Sequence, residues 1–133
     1  MDADNTLAEQ YCHLSAAHAG AATDFTSVTQ FLTQRVGDLG VNTDGMAIDD
    51  CSGLSVNSRV SAQQLVGVLK ASAQLGSHAG SLIRMLPRAG IDGTLQQRFD
   101  LDSAIGNVQA KTGSLEGVAA LAGVLTTDGG QNL

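Results

Sequence analysis

The run Val118-Ala119-Ala120-Leu121-Ala122-Gly123-Val124-Leu125 limits the fold most, because eight consecutive positions carry no polar side chain. A short run of this kind suits a strand buried on both faces, and residues 107–111 just before it also carry a strand pattern. Asp128-Gly129-Gly130 then reads as a hairpin turn. Only Gln131, Asn132 and Leu133 follow, too few for a return strand, so the chain is expected to be cut at its C-terminus and to leave residues 118–125 as an unpaired apolar edge.

The earlier part of the sequence reads as helices. Thr6-Leu7-Ala8-Glu9 has the form of a capping box, and Leu7, Tyr11 and Leu14 repeat at helical spacing, which predicts a helix over 6–18 packed on that stripe. Phe25, Val28, Phe31, Leu32 and Val36 predict a second helix capped by Asp24, with Gly37 and Gly40 breaking the pattern. Residues 46–48 read as a short strand entering the turn-rich loop Asp50-Cys51-Ser52-Gly53-Leu54-Ser55. Ser61-Ala62-Gln63-Gln64 is another capping box, opening a helix with Leu65, Val66, Leu69 and Leu75 on its core face and Gly67 as a weak point. A shorter helix through Leu82, Ile83 and Leu86 should stop at Pro87, which lacks an amide hydrogen.

Helices first and paired strands last predict an α+β layer with an antiparallel sheet flanked by helices, rather than alternating βαβ units. At 133 residues and 43% hydrophobic, the chain suits one domain at most. The net charge of -6 opposes the phosphate-neutralising surface that a nucleic-acid partner requires. No stretch approaches the roughly 20 apolar residues of a membrane span. Met1 is followed by Asp2 and Asp4 rather than by a signal-peptide pattern. Cys12 and Cys51 allow one disulfide, or two small buried thiols, and the sequence favours the thiols.

Chemistry concentrates at Lys111-Thr112-Gly113, at the end of the strand expected over 107–111, with Ser114 next. The Lys brings positive charge, the Thr a hydroxyl for a carboxylate, and the Gly lets a ligand backbone lie against the strand. Taken alone, such a triplet is equally well a strand-to-turn junction. In the company of other segments it resembles one of the active-site elements shared by penicillin-binding proteins and serine β-lactamases. Leu86-Pro87-Arg88-Ala89-Gly90-Ile91-Asp92-Gly93-Thr94-Leu95 with Arg98-Phe99, and Val108-Gln109-Ala110-Lys111-Thr112-Gly113-Ser114-Leu115, resemble the corresponding stretches of S13 D-alanyl-D-alanine carboxypeptidases. Asp50-Cys51-Ser52-Gly53-Leu54-Ser55 resembles their Asp-Gly-Ser-Gly-Leu-Ser loop, and Asp4-Asn5-Thr6-Leu7-Ala8-Glu9 the segment holding their Ser-Asp-Asn element.

The resemblance covers nearly the whole chain. It implies part of a serine β-lactamase/transpeptidase-like domain, incomplete at both ends, with residues 1–133 its C-terminal portion. It also implies an extracytoplasmic parent protein that removes the terminal D-alanine of peptidoglycan stem peptides and is acylated by β-lactam antibiotics, with no cofactor and no metal. The Asn5 amide would hold the substrate's peptide carbonyl and contact the lysine of the nucleophile motif. Lys111 and Thr112 would recognise the terminal carboxylate with Gly113 beside them, and the Ser114 amide would be one of two oxyanion donors. Leu54 and Leu115 would line the pocket for the peptide side chain, or serve as core leucines, and Val56 stands where many relatives have Arg.

Two departures bear on this. The family needs Ser-x-x-Lys, because a serine hydroxyl is a poor nucleophile without an adjacent base. Here Gly67 and Val108 stand three residues before Lys70 and Lys111, so the motif is missing. Ala3 occupies the Ser position of the Ser-Asp-Asn element. The alternative is therefore a noncatalytic peptidoglycan-binding or pseudoenzyme module, and a β-lactamase is the rival among serine acyl-transfer enzymes.

Other polar clusters have simpler readings. Glu9, Cys12 and His13 share metal-ligand spacing on one helix, but a mixed polar flank is the commoner arrangement. His78 reads as a loop residue, and Asp49-Asp50 and Asp100 with Asp102 as solvated turns.

Overall fold

The first helix starts at Asp4, whose carboxylate accepts a hydrogen bond from the Leu7 amide at 2.9 Å and satisfies one of the donors that a helix N-terminus leaves open. The computed structural model describes residues 4–74, 81–99, 101–127 and 129, which fall into two compact units, Ala3–Val68 and Leu69–Leu133. In the first unit α1 spans Asn5–His18 and α2 spans Phe25–Asp38. Asp24 caps α2 as expected, accepting from the Ser27 amide at 3.1 Å. Gly37 stays inside α2, however, and the chain leaves through Leu39 and Gly40, whose φ of +80° suits the left-handed step after a helix end.

The Thr6 capping box does not form. Thr6 lies within α1, and the Glu9 carboxylate that would have closed the box accepts instead from the amides of Cys51 and Ser52, both at 2.9 Å. The stripe Leu7, Tyr11 and Leu14 is not the packed face either, being 45%, 63% and 64% exposed. Cys12 and Ala16, one turn apart, are the buried positions. They meet Val28 of α2, with Ala21, Phe31, Leu32 and Cys51 partly buried around them. Small side chains let α1 come close on that face, and a covalent bond fixes it. Cys12 and Cys51 form a disulfide with a Cα separation of 6.2 Å, which overturns the reading as separate thiols.

Residues 46–48 supply one antiparallel bridge rather than a strand. Ala47 and Arg59 exchange hydrogen bonds of 2.8 and 2.7 Å and close the neck of the intervening loop. Helix α3, Ala62–Gln74, opens with the reciprocal box expected at Ser61: Gln64 N donates to Ser61 Oγ at 3.2 Å, and Ser61 N to Gln64 Oε1 at 2.9 Å. Gln64 Nε2 also donates to the carbonyls of Asn42 and Asp44, so a glutamine is buried with its hydrogen bonds made. The expected core face of α3 is corrected accordingly. Leu65 and Val66 are exposed and Leu69 half-buried, while Gln64 and Ser72 are buried; Leu75 lies outside the described residues. Gly67 faces Val41 so closely that a Cβ would come within 3.1 Å of Val41 Cγ2, which is the packing reason for a glycine inside this helix.

In the second unit α4 is Ser81–Met85 and ends ahead of Pro87 as expected. Strands β1, Val108–Leu115, and β2, Val118–Leu125, pair antiparallel from Val108 opposite Leu125 to Leu115 opposite Val118. Glu116 and Gly117 form the two-residue turn between them, with Gly117 at φ +74°. The architecture is α+β, with an antiparallel sheet and helices, in agreement with the sequence.

β1 runs four residues further than the expected 107–111, because Lys111 to Leu115 all pair with β2. The expected two-sided burial of β2 is also corrected. Val118, Leu121 and Leu125 are 55%, 44% and 39% exposed. Among the described residues β1 is the only strand partner of β2. The turn expected at 128–130 falls largely outside the described residues.

Candidate active site

The parity of hydrogen bonding along β1 decides which backbone groups face away from β2. Thr126 N donates to Asn107 O at 2.9 Å on the β2 side, whereas Ala110 N donates to Pro87 O at 2.9 Å on the other side. Odd-numbered residues of β1 therefore direct their backbone hydrogen bonds to β2, and Thr112 and Ser114 turn their N–H and C=O groups to the opposite edge. At the start of β1 that edge is occupied, because Arg88 bridges Gln109 and Ala89 N donates to Val108 O at 2.9 Å. Beyond Ala110 no described strand continues it.

Lys111 turns its ammonium toward this edge, where Nζ donates to the Thr112 carbonyl at 2.7 Å. Thr112 Oγ1 donates to Thr94 Oγ1 at 3.0 Å, at the short 3-10 helix Gly93–Leu95 whose Leu95 is fully buried. Three further hydrogen bonds help hold the Pro87 to Leu95 stretch together. Asp92 accepts from Arg88 N at 3.0 Å and Arg88 Nε at 2.9 Å, and Gly90 N donates to Leu95 O at 3.0 Å. Arg88 keeps the Asp92 carboxyl below its ordinary pKa, first through its backbone amide and then through its guanidinium. Gly113 and Ser114 are exposed and Leu115 is half-buried.

In the other unit Asn5 is the first residue of α1 and is exposed. Leu54, 55% exposed, sits in the loop that Asp50 organises. Asp50 Oδ2 accepts from Ser52 Oγ at 2.6 Å, Leu54 N at 2.7 Å and Ser55 N at 3.1 Å. Burial acts against ionisation of Asp50, but the Ser52 hydroxyl and the amides of Leu54, Ser55 and Gly53 outweigh it and hold its pKa below the ordinary value. Asp50 is thus the organiser of its loop and not a solvated turn residue. Asp49 accepts from Ser55 Oγ and Asn57 Nδ2, and Val56 is 71% exposed.

Lys111, Thr112, Gly113, Ser114 and Leu115 thus share one strand of the second unit, and Asn5 and Leu54 belong to the first. Ala3, His78 and Asp100 lie outside the described residues. Glu9, Cys12 and His13 all have structural partners: two loop amides, the disulfide, and the Thr23 carbonyl, which accepts from His13 Nδ1 at 2.9 Å. Among the described residues no group of three His, Cys, Asp or Glu side chains is arranged to hold a metal ion. Sequence reasoning missed the contact of Thr94 with Thr112 in the second unit, and in the first unit the hold of Glu9 and Asp50 on the loop that carries Leu54. Only the position of Glu9, one helical turn beyond Asn5, could have signalled its part.

The model of the D-Ala-D-Ala carboxypeptidase 3 (S13) family matches residues 1–133. Carboxypeptidase DacB of Mycolicibacterium smegmatis is 36% identical over 137 residues, which cover 99% of this chain and 30% of that protein. The D-alanyl-D-alanine carboxypeptidase of Actinomadura sp. (strain R39) is 41% identical over 92 residues, 64% of this chain and 16% of its own length. Penicillin-binding protein 4 (dacB) from Haemophilus influenzae, solved in complex with a novel β-lactam, is similar with a TM-score of 0.88 and 28% identity, over 98% of this chain and 31% of that one. The chain therefore spans less than a third of the length of these relatives. With a family match that runs from end to end, the chain belongs to the D-Ala-D-Ala carboxypeptidase 3 (S13) family.

Proposed function

We propose that residues 1–133 form part of the penicillin-binding, transpeptidase-like domain of a serine D-Ala-D-Ala carboxypeptidase of the cell envelope, and that they supply its substrate-holding strand. The observation that carries this reading is the edge of β1, where the Lys111 ammonium and the outward-facing amides of Thr112 and Ser114 occur together. An extended peptide end laid along that edge would gain backbone hydrogen bonds as an added strand. Its terminal carboxylate would meet Lys111 and Thr112, with Gly113 leaving room for the backbone. As the scissile carbonyl becomes tetrahedral, the Ser114 N–H would donate to its oxyanion. Asn5 would hold the preceding peptide carbonyl, and Leu54 and Leu115 would contact the stem-peptide side chain.

Hydrolysis in this scheme needs a serine that attacks the carbonyl, expels D-alanine as the amine and is freed by water. These residues contain no Ser-x-x-Lys, so the nucleophile would come from another part of the protein. The substrate would be a peptidoglycan stem peptide ending in D-Ala-D-Ala. A β-lactam would acylate the same serine, in keeping with the β-lactam complex of the Haemophilus influenzae relative. A disulfide accords with an oxidising compartment outside the cytoplasm. No described helix is long and apolar enough to cross a membrane.

The test is release of D-alanine from a stem-peptide mimic by the protein that unites these residues with the nucleophile motif. Lys111→Ala removes a charge-assisted hydrogen bond of about 1.5–3 kcal/mol and should lower kcat/KM by roughly 10- to 150-fold. Unchanged kcat/KM would sink the role given to Lys111. Ala3 in place of the motif serine favours a second reading, a noncatalytic peptidoglycan-binding module. That reading requires muropeptide binding without covalent labelling by penicillin.

A further inference from the structure

We infer that Glu9 is a positioning residue of the active site, setting the loop that carries Leu54 against the helix that carries Asn5. The inference rests on the carboxypeptidase reading above and deepens it. Glu9 lies one helical turn after Asn5, and its Oε1 accepts from two successive loop amides, Cys51 N and Ser52 N, each at 2.9 Å. The loop side of this clamp continues without a break. Ser52 Oγ donates to Asp50, and the same Asp50 oxygen receives the amides of Leu54 and Ser55, so the backbone at Leu54 is referred back to α1 through hydrogen bonds alone.

A covalent tie accompanies the polar one, since Cys51 donates its amide to Glu9 and bonds its sulfur to Cys12 on the same helix. The disulfide fixes how far the loop strays from α1, but rotation about its single bonds leaves the loop free to swivel. Two parallel N–H donors on one carboxylate oxygen remove that freedom. Glu9 Oε2 is buried without a hydrogen bond among the described residues, and faces His13 Nε2 at 3.8 Å. Keeping a carboxylate oxygen in so costly a place argues for a task in geometry.

In the protein that unites these residues with the nucleophile motif, the variants to compare are Glu9→Ala, Glu9→Asp and Glu9→Gln. Asp withdraws the acceptor by one methylene, whereas Gln keeps an oxygen where Oε1 is. A displaced Leu54 loop should raise KM for a side-chain-bearing peptide by about ten-fold or more in the Ala and Asp variants. Their kcat, and KM in the Gln variant, should stay within about three-fold of the parent. Amide hydrogen exchange at Cys51 and Ser52 should quicken about ten-fold in the Asp variant and not in the Gln variant, a readout independent of turnover. Should the Ala variant fail to fold, the Asp and Gln pair still decides. Parent-like KM together with parent-like exchange in the Asp variant overturns the inference. A parent protein that releases no D-alanine refutes the carboxypeptidase reading, and with it the role of Glu9 in that reaction, whereas the exchange data report on the clamp alone.

Discussion

Removing the Cys12–Cys51 bridge should be among the most destabilising changes available in the first unit. Among the described residues the buried apolar side chains at its centre are Cys12, Ala16 and Val28, so the bridge reinforces a small core. The two cysteines are 39 positions apart, and the loop-closure entropy withdrawn from the unfolded chain by a link of that span corresponds to about 4 kcal/mol. In urea, with a slope of about 1.5 kcal/mol per molar, the unfolding midpoint of the Cys12→Ala/Cys51→Ala variant should fall by about 2.5 M. The measurement is a urea titration followed by circular dichroism, beside a thiol assay that should find no free thiol in the parent. A midpoint lowered by less than about 0.5 M would refute the reasoning, because the unfolded chain would then gain little freedom from loss of the link.

Three more outcomes follow from local geometry. A Cβ at Gly123 would run into the Gln109 carbonyl oxygen and Ala110, so Gly123→Ala should distort the hairpin and cost about 3 kcal/mol, read by thermal unfolding; an unchanged Tm would show that the strands part freely there. Ser61→Ala breaks the reciprocal cap of α3 and should cost about 1 kcal/mol in the same assay, whereas Ser61→Asp should restore most of it. The folded pKa of Asp50 is depressed, so the stability it contributes is complete above its unfolded pKa and is lost as pH falls through the lower folded value. An NMR titration should place the Asp50 midpoint below the ordinary 3.8, and a midpoint at or above it would contradict the hydrogen-bond account of this loop.

The motifs that carry the family resemblance were legible because each is contiguous. Ser61 and Gln64 announce their cap within four residues, and the Asp24 cap of α2 is equally local. Burial was less legible. Leu7, Tyr11 and Leu14 make a convincing helical stripe, yet α1 buries Cys12 and Ala16, since the partner on that side is chosen by a bond to Cys51. β1 outruns its local pattern because Gly113 weakens strand propensity, and the pairing of Thr112, Gly113 and Ser114 with Leu121, Ala120 and Ala119 overrides it.

The local sequence set the order of helices before paired strands, the starts of α2 and α3, the span of β2 and the placing of Lys111-Thr112-Gly113 at a strand end, because these depend on periodicity and capping over a few residues. The tertiary structure alone decided that Cys12 meets Cys51, that Glu9 leaves its capping box for loop amides 42 and 43 positions away, and that the amides of Thr112 and Ser114 turn away from β2. Those outcomes depend on which distant segments come together, and a choice between distant partners leaves no mark on the local spacing of residues.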